Sequence, residues 1–257
     1  MSATPNLVAL RTVARREVAR ILRIWAQTLV PPAITMTLYF LIFGNLIGSR
    51  IGTMDGISYM DFIVPGLVMM SVIQNAYGNI SSSFFGAKFG RHVEELLVSP
   101  MPNWVILGGY VAGGVLRGVM VGAIVLCIAM LFTRVQIPHP LVTLATVLLG
   151  ATIFSLAGFV NAVYAKKFDD IAIVPTFILT PLTYLGGVFY SVTLLPAWAE
   201  TATRLNPIFY MVNAFRYGLL GTSDVPVGIA FGLMAFFVVA LGALGLRLLK
   251  RGVGLRS

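Results

Sequence analysis

Six long stretches almost free of charge dominate the chain, at 26–47, 62–85, 104–132, 141–164, 171–192 and 227–248. Each reaches the roughly 20 apolar residues that a helix needs to cross the hydrocarbon core of a bilayer. The pattern predicts an all-α polytopic membrane protein with six transmembrane helices, forming a single transmembrane domain over 1–257. The segment 1–25 has a different periodicity. At 100° per residue, Leu7, Leu10, Val13, Ala14, Val18, Ile21, Ile24 and Trp25 share one face, while Arg11, Arg15, Arg16, Arg20 and Arg23 share the other. That pattern predicts an amphipathic helix lying in the headgroup plane. An arginine-rich, acid-poor start also fits a mitochondrial presequence, but this one runs straight into the first apolar stretch without a processing spacer. Glu17 is the exception on the apolar face, and it calls for a partner: Arg16 or Arg20 nearby, or Arg91 on another element.

Between the fifth and sixth stretches, 194–220 is too broken by Glu200, Arg204 and Arg216 for a crossing, and its apolar runs are the length of re-entrant or interfacial helices. Pro196 and Asn206-Pro207 predict two helix starts, with Asn206 as an N-cap. The loop after the second stretch predicts a short helix over 91–98, preceded by Gly90 and stopped by Pro100 and Pro102. Arg91, His92, Glu94, Glu95, Leu96 and Leu97 lie in it, and a helix of this size suits a groove on another protein.

Composition sharpens this picture. The chain is 58% hydrophobic and 11% charged with a mean hydropathy of +0.91, against about 25% charged in soluble domains, so large soluble domains are excluded. The net charge of +9 would suggest nucleic acid in a soluble protein. Here it reads as topology. With the N-terminus inside, the inner segments hold 13 of the 18 basic residues: Arg11, Arg15, Arg16, Arg20, Arg23, Lys88, Arg91, Lys166, Lys167, Arg247, Lys250, Arg251 and Arg256. Arg50, Arg134, Arg204 and Arg216 fall outside and Arg117 within the third stretch. The positive-inside rule then places both termini in the cytoplasm. The single cysteine, Cys127, rules out a disulfide framework and a cysteine-based metal site.

Enzymatic chemistry is poorly provided for. No lysine precedes Ser or Thr, so there is no phosphate loop of the G-x-x-x-x-G-K-[ST] kind. His92 and His139 sit in loops, Asp61, Asp169 and Asp170 sit at the ends of apolar stretches, and none lies at membrane depth. The interior ionisable group is Arg117, flanked by Gly114, Gly118 and Gly122, a small-residue row that permits close helix contact. Arg117 suits either an anionic substrate group or a structural role. Polar residues inside the stretches form two stripes. Ser71, Asn75 and Asn79, with Gln74 alongside, line the second; Thr176, Thr180, Thr183 and Tyr184 line the fifth, among Pro175, Pro181 and Gly186-Gly187. Such stripes face a translocation pathway or hold helices together.

Taken together, the order of these features resembles a known family. The basic amphipathic start, six spans, the inner loop Glu94-Glu95-Leu96-Leu97-Val98-Ser99-Pro100, and outer Leu194-Leu195-Pro196 followed by Asn206-Pro207 and Phe215-Arg216-Tyr217 resemble the ATP-binding-cassette type 2 permeases over essentially the whole chain. The resemblance implies the membrane subunit of an exporter in a bacterial inner membrane. It would work as a dimer with a second copy of itself and two copies of a cytoplasmic ATPase, which binds ATP and Mg while this chain binds no cofactor. By that likeness 91–98 is a coupling helix seated on the ATPase, 1–25 a connecting helix carrying Glu17, and 194–220 an outer re-entrant pair. The cargo would be a drug, a lipid or a glycan-like molecule. A stand-alone carrier is disfavoured by the absence of acids within the spans, and a membrane scaffold by short loops on both faces.

Overall fold

The computed structural model describes residues 3–54 and 56–254, so Arg256 and the first two residues of the amphipathic segment lie outside the described residues. Helix α1 (Ala3–Arg23) is the predicted amphipathic element. It ends where Ile24 leaves helical geometry at φ −112° and ψ 31°. The chain resumes at once as α2 (Trp25–Tyr39), passes through a π-helical stretch at Phe40–Ile47 and closes with α3 (Gly48–Ile51). A two-residue antiparallel hairpin follows, β1 (Thr53–Met54) against β2 (Ile57–Ser58), pairing Thr53 with Ser58 and Met54 with Ile57.

Ser58 then caps α4 (Tyr59–Phe89), its hydroxyl accepting from the Asp61 amide at 3.2 Å. Asp61 thereby sits in the first turn, where the helix dipole favours a negative charge. The short α5 (His92–Val98) precedes α6 (Asn103–Ala129) and α7 (Pro140–Tyr164). Next come α8 (Phe168–Val174), a π-helical turn at Pro175–Leu179 and α9 (Thr180–Tyr184). A 3-10 turn at Val192–Leu194, α10 (Ala197–Leu205), α11 (Pro207–Leu220) and α12 (Val227–Arg251) complete the order.

Helix α4 is the axis of the bundle, packed against α6, α7 and α11, with α1 laid on α6 and α12 on α7. Ile63, Leu67, Met69, Val72, Ile73, Ala76, Ile80 and Phe84 along α4 are all fully buried. The glycine row of α6 is its seam with this axis. A Cβ at Gly118 would lie 3.2 Å from the Val72 carbonyl oxygen and one at Gly122 would lie 2.6 Å from Val72 Cγ2. Where the surroundings are as apolar as the side chains, such backbone approach is what holds helices together. The opposite surface carries large exposed apolar residues such as Leu38, Leu41, Phe177, Phe236 and Val239. Among the described residues, four helices are long and apolar enough to cross a membrane: Trp25–Ile51, Asn103–Ala129, Pro140–Tyr164 and Val227–Arg251.

Several boundaries differ from the sequence pattern, three elements most clearly. The fifth stretch, predicted at 171–192, starts at Phe168 and stops being helical at Tyr184, because Leu185 turns out of the helix at ψ 3° and Gly187 takes φ +71°. That turn folds Val188 beneath α4, where Gly66 leaves room for it: a Cβ there would stand 2.7 Å from Val188 Cα. The third stretch, predicted to 132, ends its helix at Ala129. The helix predicted from Arg91 begins at His92, since Arg91 sits in the left-handed region at φ +59° as the residue before the first turn. In 194–220 the two predicted starts are both present, and the Asn206 side-chain oxygen caps α11 by accepting from the Ile208 amide at 3.0 Å.

Candidate functional site

The arginine-rich face of α1 and the glycines of α6 create a polar junction beside the end of α4. Along α6, Gly109 and Gly113 let α1 come close, since a Cβ at Gly109 would lie 2.4 Å from Val13 Cγ1 and one at Gly113 would lie 2.7 Å from Glu17 Cβ. Glu17 is consequently 2% exposed. Burying a carboxylate is costly unless it is paired and hydrogen-bonded, and this one is both. Arg20 Nη2 donates to Glu17 Oε2 at 2.9 Å, and Ser83 Oγ on α4 lies 2.8 and 2.7 Å from the two carboxylate oxygens. The same Arg20 nitrogen donates to Asn79 Oδ1 at 2.9 Å. Arg16 donates to the Tyr110 hydroxyl at 2.7 Å. The local arginine is therefore the partner of Glu17, Ser83 is an addition that the sequence pattern does not reveal, and Arg91 forms no ion pair among the described residues.

The α4 stripe faces protein. Ser71 donates to the Leu67 carbonyl at 2.9 Å, Asn75 to the Ser71 carbonyl at 3.0 Å, and Arg117 Nη2 to Asn75 Oδ1 at 3.3 Å. Arg117 Nε, Arg20 Nε and Asn79 Nδ2 are buried without a hydrogen-bond partner among the described residues. Gln74 is half-buried. The second stripe has different neighbours. Thr180 donates to the Pro175 carbonyl at 2.8 Å and the buried Thr183 to the Thr180 carbonyl at 2.7 Å, while Thr176 is exposed. The Tyr184 and Tyr39 hydroxyls share a 2.8 Å hydrogen bond, joining α9 to α2, and Phe189 packs on both rings.

Beyond the polar junction, α5 hangs from the end of α4. Lys88 anchors that end to the last turn of α7 by donating to the Val163 and Ala165 carbonyls, both at 2.7 Å. Burial pushes the Lys88 amine below its usual range. In α5, Val93 is buried and Leu96 half-buried against the core, so His92, Glu94 and Glu95 stand exposed on the outer side; the Leu97 side chain lies outside the described residues. Between α1, the end of α4 and His92 opens a cleft of about 610 Å³, lined among others by Arg16, Glu17, Arg20, Arg23, Ser82 and Ser83. Among the described residues, no group of three His, Cys, Asp or Glu side chains is placed to hold a metal ion.

A profile described as ABC-2 type transporter matches residues 8–220. The chain belongs to the ABC-2 type transporter family. It is 59% identical over 250 residues, 97% of this chain and 98% of the relative, to the inner membrane transport permease YadH of Escherichia coli (strain K12). It is also 26% identical over 215 residues, 83% of this chain and 82% of the relative, to nodulation protein J of Rhizobium leguminosarum bv. trifolii. The corresponding protein of Rhizobium meliloti (strain 1021) is 23% identical over 215 residues, again 83% of this chain and 82% of the relative. Several of this chain's ionisable groups, Glu17, Arg20, Lys88 and Arg117 among them, stand at contacts between helices.

One such group escaped the sequence reading. Arg216, counted there in an outer loop, is 3% exposed within α11. Its Nη2 donates to the Gly187 carbonyl at 2.7 Å, its guanidinium lies 4.0 Å from the Phe62 ring centroid, and Asp224 stands 3.5 Å away. The arginine thus ties the glycine turn after α9 to the start of α4 and to the loop before α12. Val212 at i−4 and Leu219 at i+3 were the available signal, since residues at these spacings share a helix face with Arg216 and both are apolar.

Proposed function

We propose that this chain is the membrane-spanning, non-catalytic subunit of an ATP-driven exporter. On this reading six helical segments cross a bacterial inner membrane, with both termini cytoplasmic and 194–220 re-entering from the outer face. Two copies of the chain pair, and each seats one copy of a separate ATPase that binds ATP and Mg. The cargo is of drug, lipid or glycan-like character. The observation that carries the reading is the junction of α1, α4 and α5: a short helix with buried Val93 and exposed Glu94 and Glu95, hung on the central helix and braced by buried Glu17. Such a lever transmits a push from outside to the bundle axis. Basic residues on the α1 and α12 ends of the bundle support the inward orientation.

The cargo path proposed for this subunit runs along Thr176, Thr180, Thr183 and Tyr184, beside Gln74 and α2. Ser71, Asn75, Asn79 and Arg117 border it from within the bundle. The exposed apolar face of α2 and α9 is where the second copy closes the path. The test is affinity capture of the tagged chain in mild detergent with mass spectrometry and an ATP-hydrolysis assay. A roughly stoichiometric ATPase is expected with the wild type and lost with Glu94→Arg plus Glu95→Arg, while that variant still inserts. A monodisperse chain that captures no ATPase even after crosslinking would overturn the proposal and leave a stand-alone carrier.

A further inference from the structure

The cleft beside α1 has a charge pattern that the exporter reading does not use. Arg16, Arg20 and Arg23 recur at i, i+4 and i+7 and all line it. Glu17 compensates Arg20 at 2.9 Å. Arg16 has a neutral partner, the Tyr110 hydroxyl, and Arg23 forms no ion pair among the described residues. Two arginines therefore line an open volume of about 610 Å³ without an ion-pair partner among the described residues. Ser82 and Ser83 stand on the facing wall with their hydroxyls already donating to the Gly78 carbonyl and to Glu17, and Ala19, Ile24, Gly86 and Ala87 supply an apolar lining. At its edge the α1–α2 break leaves Leu22 and Trp25 55% and 57% exposed.

The geometry points to a binding site for a phosphate group in this cleft, the chemistry shared by an anionic lipid headgroup and free phosphate. Guanidinium forks match tetrahedral phosphate oxygens, and two of them spaced about 10 Å along one helix face can close on a single headgroup from both sides. The apolar lining, on a helix that also exposes Leu22 and ends beside exposed Trp25, favours a ligand that arrives from the membrane surface over an acidic protein segment. The inference rests on the proposed placement of α1 in the inner headgroup plane.

Native mass spectrometry of the purified full chain tests it without any ATPase present. Phosphatidylglycerol, phosphatidylcholine and inorganic phosphate are each offered to the wild type, to Arg16→Gln with Arg23→Gln, and to Arg11→Gln with Arg15→Gln, whose arginines are exposed on the same helix outside the cleft. Phosphatidylglycerol is expected to be retained over phosphatidylcholine, roughly tenfold more weakly by the cleft variant and undiminished by the control pair. Displacement by millimolar inorganic phosphate would assign the site to the free anion, and resistance to it would assign the lipid headgroup. Equal loss in both variant pairs would show diffuse attraction and overturn the proposal. So would unchanged retention in the cleft variant, and if that variant also fails to capture ATPase, the cleft is a protein dock. Ser82→Glu, which sets a carboxylate on the exposed wall, supplies the same reading if the double variant folds poorly. Because retention is read on the chain alone, its failure leaves the ATPase-docking reading standing, and the converse holds.

Discussion

Ser83, near the end of the central helix, lies 2.8 and 2.7 Å from the two carboxylate oxygens of Glu17, 66 positions earlier in the chain. This hydroxyl, with Asn79 bonded to Arg20, fastens the amphipathic helix α1 to the bundle axis. Replacing Glu17 with Ala leaves Arg20 without its carboxylate and Ser83 without its acceptor, and a charged hydrogen bond of this kind contributes about 1.5–3 kcal/mol. We expect Glu17→Ala to lower the midpoint of thermal unfolding in detergent and Ser83→Ala to lower it less. A midpoint unchanged in Glu17→Ala would show that α1 docks through its apolar face alone.

Two glycines should respond with opposite sign. At Gly109 an added methyl would meet Val13 Cγ1 at 2.4 Å, so Gly109→Ala has to push α1 away at a cost of about 1–3 kcal/mol. At Gly78, inside α4, the same methyl meets nothing within 4 Å, and alanine gains roughly 0.5–1 kcal/mol from helix propensity. Thermal unfolding of the two variants side by side should fall for the first and rise for the second. Stabilisation by both would mean that α1 is not held against α6 in solution.

What could be read from the sequence was local or periodic. The N-cap at Asn206 and the small-residue row at Gly114, Gly118 and Gly122 follow from spacings within a turn or two, and both have the role that the spacing implied, while the amphipathic periodicity of α1 gave a helix there. What escaped depends on partners far away in the chain. Ser83 meets Glu17, and Tyr110 meets Arg16 across 94 positions, through packing that no short-range periodicity encodes. The fifth apolar stretch looked continuous because hydropathy does not register the backbone turn at Gly187, which takes φ +71°. Arg216 was assigned to a loop by its charge, although stacking on Phe62 and a carbonyl at 2.7 Å let it lie inside.

Arg117 offers a separation of structure from transport. Among the described residues its one side-chain hydrogen bond, to Asn75 Oδ1, is 3.3 Å long, and its Nε is buried without a partner. Little stability is therefore lost with the charge, and Arg117→Gln should keep its unfolding free energy within about 1 kcal/mol of wild type. If the charge serves the cargo path, ATP hydrolysis stimulated by the chain should fall in the same variant. A parallel collapse of folded yield would assign Arg117 to holding helices together.

The loop between α7 and α8 supplies a pH signature. Amides of Lys166 and Lys167 donate to one Asp170 oxygen at 2.7 and 2.9 Å and hold its carboxyl below the usual carboxylate range. A carboxyl whose folded value is depressed stabilises the fold above its unfolded value, near pH 4, and that contribution is lost as the pH falls through the folded value. Asp170→Asn should therefore lower the unfolding midpoint at pH 7, and the difference from wild type should shrink towards pH 3. A difference constant across that range would remove Asp170 from the turn's stability.

Arg216 should tolerate no substitution, including the conservative one. The guanidinium stacks 4.0 Å from the Phe62 ring centroid while donating to the Gly187 carbonyl at 2.7 Å and facing Asp224 at 3.5 Å. Lysine keeps the charge but has no plane to lie on the ring and no second nitrogen to reach the carbonyl and the acid together. Breaking one side of a buried pair costs about 3–5 kcal/mol, so Arg216→Gln should unfold well below wild type. Arg216→Lys should recover less than half of that loss, whereas Asp224→Asn, at the more open end of the contact, should cost about 1 kcal/mol. Full recovery with lysine would show that charge alone matters there. The glycine turn after α9 would then be held without the stacked plane, and its position under α4 would depend on Val188 against Gly66.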